Sequence, residues 1–100
     1  MAEQLIIGGV RRDAADGATF DVTEPATGQV LTQVAKGGPA DVDAALAAAH
    51  AAFNDGRGSW ARTNATARGR VLHRVAELLR EREDLFATTE ARGAGHPIGD

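Results

Sequence analysis

The chain is 100 residues long with a formal net charge of -3, which limits it to one small domain and speaks against a nucleic-acid partner. Of its 43 apolar residues 21 are alanine, while Leu, Ile, Val and Phe together number 20, so the material for a core is thin. A chain of this size buries at best roughly two-thirds of its unfolded surface, and these residues are expected to be part of a larger body.

The absence of cysteine excludes a disulfide scaffold, thiolate metal ligation and a cysteine nucleophile within these residues. Leu5-Ile6-Ile7 is too short for the apolar run of a signal peptide, and no stretch approaches the roughly 20 apolar residues of a membrane span. A cytoplasmic location without a membrane partner is the expectation.

In chain order, Leu5 to Val10 reads as a short β-type run ended by the paired glycines Gly8 and Gly9. A polar stretch follows from Arg11 to Gly17, with Asp16-Gly17 as a turn signal. Thr19 to Thr23 alternates so that Phe20 and Val22 share a face. Pro25 and Gly28 make a turn, after which Val30, Thr32 and Val34 line one face of a further strand. Residues 1–36 are therefore expected to be β-rich and antiparallel, and residues 37–100 helical.

Gly37-Gly38 breaks the chain, and Pro39 suits the first position of a helix, where a missing N–H costs nothing. Asp41 and Asp43 fall in its first turn, favourable for the helix dipole. Val42, Leu46, Ala49 and Phe53 form one apolar stripe, and Asn54-Asp55-Gly56 ends the helix. Gly56 to Trp60 reads as a loop. A second helix from about Asn64–Thr66 to Arg82 is predicted to bury Val71, Leu72, Val75, Leu78 and Leu79, with Glu77 in reach of Arg74 and Arg80. A third, from about Glu83 to Arg92, turns Leu85, Phe86 and Thr89 inward and stops at Gly93, Gly95 and Pro97.

Four motifs invite a functional reading, and each has a plainer one. The glycines from Gly93 to Gly99 are spaced G-x-G-x-x-x-G and follow a helix, whereas a phosphate cradle needs a strand that feeds glycines into a helix start. They read as a stop signal. His50, His73 and His96 share no i, i+3 or i+4 spacing that would suit a metal, and boundary positions account for them. Arg62, Arg68, Arg70, Arg74, Arg80 and Arg82 interleave with Glu77, Glu81, Glu83 and Asp84 and have no aromatic neighbour to stack a base, so they read as a solvated ion-pair face. Asn64-Ala65-Thr66 matches a glycosylation acceptor, but Asn64 or Thr66 serves equally as a helix cap.

Taken together, several short runs resemble the N-terminus of NAD(P)+-dependent aldehyde dehydrogenases. They are Ile6 to Gly9, the run Phe20-x-Val22-x-x-Pro25-Ala26-Thr27-Gly28-x-Val30-Leu31, and Asp41-Val42-Asp43-Ala44-Ala45. Phe53 with Trp60, Arg68 ahead of the leucine-rich helix, and Gly95-His96-Pro97-Ile98 complete the series in register. The resemblance implies an α/β enzyme whose visible part is α+β. Its N-terminal strands and three helices would open a Rossmann-like nucleotide-binding domain, most of whose sheet lies beyond Asp100. It also implies oxidation of an aldehyde to a carboxylic acid through a cysteine thiolate, with hydride passing to NAD or NADP, in a homo-oligomer. The nucleophile, the glutamate base and the cofactor-binding residues would all lie downstream, so the 100 residues alone are expected to be inactive.

Three positions depart from the family pattern. Glu24 stands for the usual Asn, His96 for Lys and Asp100 for Glu. In several members a monovalent cation is held by backbone carbonyls just before the Asn-Pro and by an aspartate shortly before the Gly-Lys-Pro. Here Val22 and Thr23 would supply such carbonyls, while Gly93 stands at the aspartate's place and has no carboxylate. The alternative expectation is a truncated, non-enzymatic interaction module derived from the same family.

Overall fold

The structure, a computed structural model, describes residues 2–95. The readings that rest on His96, Pro97, Ile98, Gly99 and Asp100 lie outside the described residues. The element order is α+β: four short strands, β1 (Leu5–Ile7), β2 (Val10–Arg12), β3 (Thr19–Thr23) and β4 (Val30–Ala35), and then helices. Three of the helices are long: α1 (Pro39–Phe53), α3 (Ala65–Glu81) and α4 (Glu83–Ala94). Between α1 and α3 stand a 3-10 turn, Asn54–Gly56, and a single helical turn, α2 (Ser59–Arg62).

The contacts divide the chain into two compact units. One comprises the residues up to Val22 together with Val30–Arg62; the other comprises Thr23–Gln29 together with the residues from Thr63 onward.

In the first unit the paired glycines do not end a strand but turn it. Gly8 and Gly9 both take positive φ, 61° and 78°, the geometry of a two-residue hairpin turn, so β1 pairs antiparallel with β2. Leu5 faces Arg12, Ile6 faces Arg11 and Ile7 faces Val10. The Arg11–Gly17 stretch read as polar therefore begins inside a strand, because a two-residue turn needs the residues on both sides to pair. β3 and β4 form a second two-stranded sheet. The Lys36 N–H donates to the Ala18 carbonyl at one end of it, and the Gln33 amide donates to the Asp21 carboxylate farther along. Glu3 adds a parallel bridge to Val34, so the pairing is not purely antiparallel.

Helix α1 starts as its sequence predicts, with Gly38 as N-cap and Pro39 in the first turn. The carboxylate of Asp41 does more than favour the dipole. Its Oδ2 accepts the Gly38 N–H at 2.9 Å, which satisfies a helix-start donor, and its Oδ1 accepts the Ala15 N–H at 3.0 Å. The Arg12 guanidinium stands 3.9 Å from Oδ1. Asp41 is thus buried with its oxygens engaged, beside Ala14, the one buried apolar residue among those described.

The large apolar side chains of the long helices do not face inward. On α1 the covered positions are Asp41, Ala44 and Ala48, and Ala48 brings its Cβ to 3.7 Å from where a Cβ would stand on Gly8. Val42, Leu46 and Phe53, the stripe read from periodicity, are more than half exposed. On α3 the predicted buried face of Val71, Leu72, Val75, Leu78 and Leu79 is exposed at every position. On α4 the half-buried residues are Ala87 and Ala91, while Leu85, Phe86 and Thr89 are exposed and the Thr89 hydroxyl donates back to the Leu85 carbonyl. On α1 and α4 the half-buried positions are mostly alanines, whose methyl groups allow close backbone approach, and the bulky side chains stay exposed.

The α1 exit is backbone-driven. Asn54, Asp55 and Gly56 all take positive φ, which reverses the chain within three residues. Gly58 then donates its N–H to the Phe53 carbonyl, and a Cβ on Gly58 would collide with the Ala52 carbonyl oxygen. The stretch read as a loop up to Trp60 thus closes into the α2 turn.

Two stability effects follow. Asp41→Ala strips partners from two backbone N–H groups, and should cost about 2–4 kcal/mol in urea unfolding, with Asp41→Asn intermediate. Gly58→Ala should cost about 1–3 kcal/mol and move the Trp60 fluorescence maximum, because the backbone under α2 has to shift.

Candidate functional site

The segment Thr23–Gln29 is a turn closed by several hydrogen bonds. The Gly28 N–H donates to the Glu24 carbonyl, the Glu24 N–H donates to the Gln29 carbonyl, and both bonds are 2.8 Å long. The Thr27 hydroxyl accepts the Gln29 N–H at 3.2 Å, and Gly28 takes φ 72°, which a β-carbon would disfavour.

Within the second unit this turn rests on the end of α4. Gly95 caps that helix at φ 78°, and a Cβ there would stand 3.4 Å from the Cβ of Pro25. Arg92, in the last helical turn, reaches the Glu24 carboxylate at 3.4 Å. A cation at a helix C-terminus also suits the dipole, so Arg92 is favoured twice. The residue that departs from the family's Asn thus has a role of its own: its backbone closes the turn, and its side chain ties the turn to α4.

Val22 is half-buried and Thr23 exposed, consecutive at the end of β3. Gly93 lies in the last turn of α4 with open space where a Cβ would be. The carboxylate of Glu24, next after Thr23, is paired with a guanidinium.

The other described candidates lie on the helices and the loop before α3. His50 is exposed in the last turn of α1, and its carbonyl accepts the Asn54 N–H. His73 lies 3.5 Å from Glu77 on the surface of α3. Arg74 pairs with Glu77 at 3.0 Å and Glu81 at 3.6 Å, and of the two arginines flanking Glu77 it is Arg74 that engages it. Arg68 donates to the Thr63 carbonyl at 2.8 Å. Asn64, not Thr66, caps α3, accepting the Ala67 N–H at 2.9 Å. Among the described residues no group of three or more His, Asp or Glu side chains is placed to hold a metal ion.

Two linkages were missed in the sequence. The Asp41 carboxylate had a legible signal, an acidic residue three positions after the N-cap. The Glu24–Arg92 pair had none, because its partners are 68 residues apart.

Comparison with known proteins gives this geometry its context. The model of the aldehyde dehydrogenase family matches residues 12–100. The chain belongs to the aldehyde dehydrogenase family.

Solved structures of this family superpose on nearly all of the chain. A gamma-glutamyl-gamma-aminobutyraldehyde dehydrogenase from Burkholderia cenocepacia J2315 is 48% identical with a TM-score of 0.91, over 98% of this chain and 20% of its own. PnpE, solved in complex with nicotinamide adenine dinucleotide, is 40% identical with a TM-score of 0.89, over 98% of this chain and 19% of its own. An NAD-dependent aldehyde dehydrogenase from Sinorhizobium meliloti is 33% identical at TM-score 0.89, again over 98% and 19%. The chain thus spans about one-fifth of the length of these relatives, and it corresponds to an N-terminal segment of the aldehyde dehydrogenase fold.

The Glu24–Arg92 pair is exposed on its arginine side, so Arg92→Ala should change global stability by less than about 1 kcal/mol. Its effect should be local, read by hydrogen exchange as loss of protection at the Gly28 and Gln29 amides while the α1 amides keep theirs.

Proposed function

We propose that this segment is the opening part of the nucleotide-binding domain of an NAD(P)+-dependent aldehyde dehydrogenase, which oxidises an aldehyde to a carboxylic acid. The observation that carries the reading is the family match over residues 12–100 together with superposition on enzymes that are about five times longer. The exposure of Val42, Leu46 and Phe53 on α1, and of Leu85 and Phe86 on α4, supports it, since such faces suit a layer supplied by the rest of the fold.

In this reading the segment contributes shape rather than chemistry. The thiolate that attacks the aldehyde, the base that activates water and the groups that hold NAD or NADP belong to other parts of the enzyme. The Asp41 clamp and the Glu24–Arg92 tie keep the two loops of the segment in place for that assembly. A homo-oligomeric enzyme in the cytoplasm fits the same reading, and no helix among the described residues is long and apolar enough to cross a membrane.

The Val22 and Thr23 carbonyls are the oxygens this chain would offer to a monovalent cation. A monovalent cation needs several oxygen ligands to replace its hydration shell, and two carbonyls are too few to do so. Potassium is accordingly expected to raise the melting temperature no more than choline at equal ionic strength. A potassium-specific rise would instead support the site.

The enzymatic reading is tested by activity. The 100-residue chain should produce no NADH or NADPH from any aldehyde, whereas a longer protein carrying this segment should, and should lose that activity when the segment is deleted. Nucleotide reduction by the 100 residues alone would overturn the assignment of the chemistry to other parts of the enzyme.

A further inference from the structure

We draw no further inference here: the strongest candidate, the exposed apolar cleft between α3 and α4 lined by Val75, Leu78, Leu79, Arg82 and Phe86, carries none, because nothing in the structure shows what covers it.

Discussion

The carboxylate of Asp41 is the contact on which the first unit turns. Close to the start of α1 three things meet: the helix N-terminus with its unpaired N–H groups, the loop leaving β2, and the Arg12 side chain. A single carboxylate answers all three, with one oxygen on Gly38, the other on Ala15, and the guanidinium nearby. A buried carboxylate costs several kcal/mol unless its oxygens are bonded, so its partners and its burial require one another. Placed there, Asp41 fixes where α1 begins, and hence which face of α1 meets the hairpin turn at Gly8.

From that placement follows the unusual distribution of side-chain size. The faces that close within the segment are made of Ala44 and Ala48 on α1 and Ala87 and Ala91 on α4, while leucine, valine and phenylalanine point away. Only Ala14 and Asp41 are buried among the described residues. The hydrophobic effect that usually holds a domain together is largely unspent here, and local hydrogen bonds, caps and turns do most of the specifying. A segment built this way has well-defined elements and an incomplete interior, the arrangement expected of one part of a larger fold.

The β3–β4 turn shows how a family pattern can be kept while its chemistry changes. Pro25 and Gly28 preserve the backbone course, and the turn closes through main-chain bonds that any residue but proline could make at position 24. The side chain at that position is then free to do something else, and in this chain Glu24 meets Arg92 at the end of α4. An internal ion pair thus stands beside a turn whose carboxylate would otherwise be exposed, and Gly93 adds no charge of its own.

By itself the sequence determined the local elements and the family. Pro39 after two glycines, Asn54-Asp55-Gly56 after an alanine-rich run and Asn64 ahead of α3 are signals whose physics acts over a few residues, and each marks an element edge where the structure has one. The hairpin at Gly8-Gly9 was missed because paired glycines signal a turn without saying whether the chain pairs again beyond it. What only the tertiary structure decided is which faces are covered. Periodicity identified the apolar stripes of α1 and α3 correctly as stripes, but burial depends on a neighbour, and a neighbour is a long-range fact. The same limit hid the Glu24–Arg92 pair, whose two members are brought together by the packing of a turn on a helix end and by nothing in the residues around either one.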